Sequence, residues 1–198
     1  MKTTIIIITI LIVLLMSTQA LISRSTGKTE QQRYEVIERM GDFEIRYYPP
    51  AILASVERQG HYDASSGSSF RTLAGYIFGK NTTSEKISMT SPVRMKQEAD
   101  TFGMQFVMPA SYTMEKLPKP DDPSIRLKKF EGGYYAAIRF GGFAKVQDWN
   151  ARTEELKAFL DSKGLSYEAP FEYLGYNPPY QFINRRNEVV VRLKSYQP

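Results

Sequence analysis

The chain has 198 residues, 42% hydrophobic and 24% charged, proportions of a globular protein rather than a disordered one. Its net charge is +5 and its pI about 9.3, yet the Lys and Arg residues are interleaved with acids throughout, which speaks against a nucleic-acid-binding tract. With no cysteine and a single histidine, thiol catalysis and disulfides are excluded, and a zinc site built from several Cys or His ligands is disfavoured.

Residues 1–22 differ from the rest. Lys2 is followed by an uncharged apolar run, residues 3–22, that closes on the small or polar Ser17-Thr18-Gln19-Ala20. This reads as a secretory signal peptide with a cut after Ala20, or as an uncleaved membrane anchor of about the 20 residues a bilayer requires. Either way the domain is expected outside the cytoplasm: secreted, periplasmic or anchored. Lys2 on one flank and Arg24 and Lys28 on the other give little orientation signal. Residues 23–33 read as a polar linker and residues 34–198 as one domain with a sizeable core.

Within that domain, residues 43–47 alternate apolar and charged, predicting a half-buried strand that Pro49-Pro50 ends. Ile52, Ala54 and Val56 resume the alternation, so the pair predicts a hairpin. Small polar residues at 63–69 offer N-caps to a helix carrying Phe70, Leu73, Ala74, Ile77 and Phe78, with Gly79 as its stop. Residues 87–89 and 104–108 predict further strands, with a turn at Thr90-Ser91-Pro92 between them. Residues 117–123, with three prolines and two aspartates, predict a connector. The order then repeats: strand 125–130, a Glu131-Gly132-Gly133 turn, strand 134–140, and a helix with Val146, Trp149, Leu156, Phe159 and Leu160 on one face. Asp148 falls in its first turn and Gly164 ends it. Strands at 171–176 and 189–193 follow. Pro92 and Pro178 read as equivalent positions after each helix. The expectation is an α+β fold of two strand-strand-helix-strand-strand units whose faces can be buried only against each other.

Catalytic chemistry finds little support. Nothing around His61 resembles a nucleophile elbow, and the paired acids Asp121-Asp122 and Glu154-Glu155 read as solvated.

The second unit carries Phe140-Gly141-Gly142-Phe143-Ala144, then Leu174-Gly175-Tyr176-Asn177-Pro178-Pro179, then Asn184-Arg185-Arg186-Asn187-Glu188-Val189. In this order they resemble the SOUL heme-binding protein family, as does the Ile87-to-Val93 segment; the resemblance spans residues 34–193. It implies a distorted β-barrel of two pseudo-symmetric halves with two main helices. It also implies non-catalytic, non-covalent binding of heme or other tetrapyrroles in a shallow apolar groove, for buffering or transport, with no enzyme activity. A monomer without nucleic-acid partners is expected. The alternative is a membrane-tethered interaction module for a peptide, lipid or other amphipathic ligand.

Heme is a flat apolar disc with two carboxylates, so a binder needs an apolar face and a cation. By the resemblance the first helix supplies much of the contact: Phe70, Leu73, Ala74 and Ile77, with Arg71 as a propionate partner. The same stripe is also what core packing would produce. Arg185 and Arg186 either reach propionates or pair with Glu188. His61 is the candidate iron ligand. Met89 and Met95 carry thioether sulfur but equally suit a core. Gly67, Ser68 and Ser69 are small where the family tends to carry longer residues, which leaves room for a ligand other than heme.

Overall fold

The computed structural model describes residues 2–198. The chain forms α1 (Lys2–Gly27), β1 (Glu30–Gln31), β2 (Glu35–Met40), β3 (Phe43–Tyr48), β4 (Ala51–Gln59), α2 (Tyr62–Ile77), β5 (Thr90–Ser91), β6 (Val93–Glu98) and β7 (Thr101–Val107). The second half contributes β8 (Arg126–Phe130), β9 (Gly133–Phe140), α3 (Val146–Ser162), β10 (Tyr167–Gly175) and β11 (Asn187–Leu193). The expected α+β duplication is present.

Nine strands make one antiparallel sheet in the order β2-β3-β9-β11-β10-β6-β7-β4-β8. Its centre is the β10–β6 pair. Moving outward, β11 matches β7, β9 matches β4 and β3 matches β8, so the two units are related by a pseudo-twofold axis, with β2 added at one end. The end strands β2 and β8 do not pair with each other, and the curled sheet is a distorted, open barrel.

The order overturns one expectation. Neither pair of consecutive strands is a hairpin: β3 pairs with β9, Tyr48 opposite Gly133, while β4 pairs with β8, Ala51 opposite Phe130. Each unit hands its first strand to the other. The two crossing turns meet at the axis, where a Cβ on Gly132 would lie 2.2 Å from the Tyr48 carbonyl oxygen, and where Gly132 has φ +73°. Only glycine fits that approach.

Other differences are local. Residues 87–89 form no strand; the Ile87 N–H instead donates to the Ile77 carbonyl at 2.8 Å, and the side chain is buried in the core. Thr90–Ser91 is itself a short strand, pairing in parallel with β1. Pro92 precedes β6 whereas Pro178 follows β10, so they stand at opposite ends of matching strands rather than at equivalent places. The segment read as a linker is helical to Gly27 and then supplies β1. Strand β2, mostly exposed at the sheet's edge, does not signal itself by periodicity, because Val36 and Ile37 are adjacent, as are Glu38 and Arg39, and break the alternation.

Helix α2 begins earlier than its small polar residues indicate, with His61 as an extended N-cap residue and Asp63 in the first turn. In α3 the Lys145 N–H donates to Asp148 Oδ2 at 2.8 Å, tying down the first turn. Helix α2 packs on β4 and β7, and α3 on β9, β10 and β11. Together they bury a core that includes Leu73, Ile77, Phe102, Phe106, Trp149, Leu156 and Leu160. The other face of the sheet has a smaller core around Tyr48, Phe130, Tyr135, Leu174, Tyr176 and Val190. Neighbours such as Val189 and Val190 serve opposite cores because side chains alternate along a strand.

Candidate functional site

The residues expected along the first helix divide by direction. Leu73 and Ile77 are 0% and 1% exposed and belong to the core. Phe70 and Phe78, by contrast, are 42% and 64% exposed, and with the half-buried Ala74 they recur every four residues, which sets them on one outward face. The Phe70 ring rests edge-on against Phe106 of β7, centroids 5.3 Å apart, so its orientation is held while one side stays open. A solvent-facing apolar strip is thus built on a helix whose inner face is anchored by Leu73, Tyr76 and Ile77.

Beside the strip lies a cavity of about 350 Å³ lined by Arg58, Ser68, Arg71, Thr72, Lys80 and Asp122, among others. Arg71 follows Phe70 in the helix and joins strip to cavity. One Arg58 amino group donates to Thr72 Oγ1 at 2.8 Å, while its Nε is buried and has no partner among the described residues. Asp122 is already engaged: its Oδ1 accepts from the Ser124 hydroxyl and N–H at 2.6 and 2.9 Å, and these bonds hold its carboxyl below the usual range. Three cations against one satisfied acid make this an electropositive recess, open to a carboxylate or phosphate group.

A larger cavity of about 530 Å³ lies elsewhere, between β1, the 49–52 segment and the 107–115 loop. Its charges are mixed, with Glu30, Glu115 and Glu131 against Arg33 and Lys129, so it offers no net attraction for a dianion.

His61 is set apart from the strip. As the residue preceding α2 it lies roughly 13 Å along the axis from Phe70, at about 1.5 Å per residue. Its imidazole is 71% exposed and 3.6 Å from Asp100. Met89 is half-buried and Met95 is 7% exposed; both pack in the helix-side core.

Arg185 and Arg186 serve the architecture. Arg186 pairs with Glu188 at 2.8 Å, donates to the Tyr34 hydroxyl at 2.7 Å and stacks on the Tyr176 ring at 3.9 Å. Arg185 donates to the carbonyls of Pro178 and Gln181 at 2.7 and 2.5 Å and covers the Phe143 ring. The same corner gathers the other shared blocks. Asn187 donates to the Gly142 carbonyl at 2.9 Å and accepts from the Tyr173 hydroxyl at 2.7 Å, while Asn177 Oδ1 accepts from the Arg186 N–H at 2.7 Å. The three sequence blocks therefore form a structural corner of the second unit, where Ala144 lines a small cavity together with Tyr62, the first residue of α2.

At the centre of the smaller core Glu188 accepts two bonds from Arg46, at 2.7 and 3.0 Å, and one from the Tyr176 hydroxyl at 2.9 Å. Burial alone would raise its carboxyl; the bonds and charge of Arg46, then Arg186, outweigh that and hold it below the usual range. A matching pair, Arg94 and Glu172, bonds twice at 2.9 Å with Gln32 as a third partner at 2.8 Å. Burial pushes the Tyr48 hydroxyl, between the two arginines, up to about 12. The sequence signals polar surface at these positions, because only the β3–β9 exchange brings Arg46 to a buried partner.

Two units of strand-strand-helix-strand-strand around a pseudo-twofold axis define the two-repeat class of α+β barrels. Solved structures share this architecture, among them the EcmrR C-terminal domain (TM-score 0.61, 7% identity, covering 82% of this chain and 99% of that one). A hydrolase from Listeria innocua is also similar, at TM-score 0.55 and 10% identity over 87% of this chain and 97% of that one. At such identity the likeness concerns the fold alone. Within the class, residues 29–192 match the SOUL heme-binding protein family, and the chain belongs to it. Relatives include heme-binding protein 1 of Xenopus laevis, 31% identical over 156 residues, 74% of this chain and 81% of that protein. Heme-binding protein 2 of Homo sapiens is 29% identical over 159 residues, 75% of this chain and 77% of that protein.

Proposed function

We propose that the domain binds heme or a related tetrapyrrole non-covalently on the outward face of α2, as a buffer or carrier rather than an enzyme. The observation that carries this reading is the juxtaposition of the Phe70, Ala74 and Phe78 strip with the Arg58, Arg71 and Lys80 recess. A porphyrin face would lie on the strip, and a propionate would reach Arg71 and the recess. Relatives named as heme-binding proteins support the ligand class. His61 lies too far along the helix to ligate an iron centred over Phe70 and Ala74, so this reading assigns it no ligand role. The apolar residues 3–22 support a protein that acts outside the cytoplasm or at a membrane.

Titrating the full chain with hemin tests the proposal. A Soret change with quenching of Trp149 at micromolar hemin is expected, and weakened by Phe78→Glu; no spectral change would reject it. The strip would then serve a peptide or lipid.

A further inference from the structure

Helix α1 is long and apolar enough to cross a bilayer, and its side chains are exposed from residue 2 to residue 18. Gln19 breaks that pattern at 3% exposed. Its carboxamide donates to the Tyr180 carbonyl at 3.2 Å and accepts from the Phe182 N–H at 3.0 Å. Two turns further on, Thr26 donates to Gln181 Oε1 at 2.8 Å. The helix is therefore fastened by complementary polar contacts to the loop after Pro178-Pro179. A signal cut after Ala20 would remove Gln19 and leave the Phe182 N–H without this acceptor.

That loop also carries large apolar side chains in water: Tyr180 is 64% exposed and Phe182 42%, and Phe143, held beneath Arg185, is 56% exposed. Both flanking residues of the Gln19 contact bear such a ring, so the aromatics stand at the level where the apolar run of α1 ends. Aromatic rings favour this depth in a bilayer, between hydrocarbon and headgroups. Arg24 and Lys28, just past Gln19, supply cations at headgroup height.

We propose that α1 is retained as a membrane anchor and that Tyr180, Phe182 and Phe143 enter the interface of the same bilayer. The domain is then seated in a fixed orientation instead of swinging on a tether. The occupant of this aromatic surface is a phospholipid membrane, because the surface is continuous with a helix whose apolar length matches one. The proposal is independent of heme binding.

The absence of cysteine makes single-site labelling clean. Full-length Tyr180→Cys, Phe182→Cys and, as a remote control on α3, Glu154→Cys would carry an environment-sensitive fluorophore in phosphatidylcholine/phosphatidylglycerol vesicles. Labels at 180 and 182 are expected to shift to the blue and to be quenched by shallow spin-labelled lipid, with the label at 154 unaffected. Emission at 180 and 182 as solvent-like as at 154 would overturn the seating. Gln19→Leu keeps the apolar span while removing both loop bonds, and should at least halve the quenching at 182; unchanged quenching would overturn Gln19 as the fastening residue. Intact mass of the protein exported by a secreting host should include residues 1–22, and a product starting at Leu21 would overturn retention.

Discussion

Arg46 and Glu188 lie 142 residues apart in the chain, yet they form a two-point ion pair at 2.7 and 3.0 Å, both fully buried, with Arg46 on β3 of the first unit and Glu188 on β11 of the second. Strand β9 lies between them in the sheet. The pair can close only when the first strand of one unit has joined the other, so it links correct strand exchange to satisfied buried charge. Leaving either partner alone in that core is costly.

Glu188→Gln should therefore destabilise the domain by about 3–5 kcal/mol, the usual loss when a buried ion pair is broken from one side. The folded carboxyl titrates below its unfolded value, so its contribution is complete above about pH 4.3, the ordinary glutamate value, and is lost as the pH falls through the folded value. Urea unfolding at pH 7 and pH 3 checks both points: the gap between wild type and variant should be large at pH 7 and smaller at pH 3.

Gly132→Ala tests the crossing at the axis. A methyl 2.2 Å from the Tyr48 carbonyl forces the two crossing turns apart, at about 1–3 kcal/mol for the crowding, with about 1–2 kcal/mol more for the positive φ. Gly164→Ala is the comparison: φ is +65° but nothing lies within 4 Å of the added Cβ, so only the smaller backbone cost of about 1–2 kcal/mol is expected. Equal losses of stability in the two variants would count against the contact at the axis.

The two sides of α2 should separate in paired measurements. Leu73→Ala, in the core, is expected to cost about 2–5 kcal/mol of stability. Phe78→Glu, on the exposed strip, should leave thermal unfolding within about 0.5 kcal/mol of wild type. The same Phe78 variant should weaken hemin binding about tenfold or more, given about 1.5–3 kcal/mol for covering a Phe side chain.

Arg71→Glu should weaken hemin binding by about tenfold, from the loss of a charge-assisted bond of about 1.5–3 kcal/mol. The difference from wild type should shrink between 50 mM and 500 mM salt, because Arg71 is exposed. His61→Ala should leave both the affinity and the Soret position unchanged. A shifted Soret band in that variant would restore His61 as an iron ligand.

Periodicity in residues 43–47 and 52–56 identified real strands, the repeated order of elements identified the strand at 134–140, and the glycines at 79 and 164 marked real helix ends. They did so because alternation and helix stops are properties of a few consecutive residues. Strand partners are not local in that sense. The same alternating pattern in β3 suits β4, its neighbour in the chain, and β9, the strand it joins, so the hairpin reading was the nearer of two equally patterned pairings.

The candidate site was legible to the same degree. A stripe of Phe70, Leu73, Ala74, Ile77 and Phe78 could be read from spacing, but the angular range of such a stripe is wide enough to include both core and surface. Which members face water depended on where β4 and β7 pack beneath α2, and the recess needed Arg58 from β4 and Asp122 from a distant loop. Asp122 is encoded far from the helix, and Arg58, only four residues before it in the chain, reaches the recess only once β4 has packed beneath α2.

Local pattern was enough to specify a two-unit α+β chain preceded by an apolar segment, because hydrophobic period, turn residues and duplication are written into short stretches. The tertiary structure alone decided that the units exchange their first strands, that Arg46 and Glu188 are core residues, and that Gln19 joins the leader to the Pro178 loop. Those outcomes depend on which surfaces meet, and burial and pairing energies are defined only once distant segments share a contact.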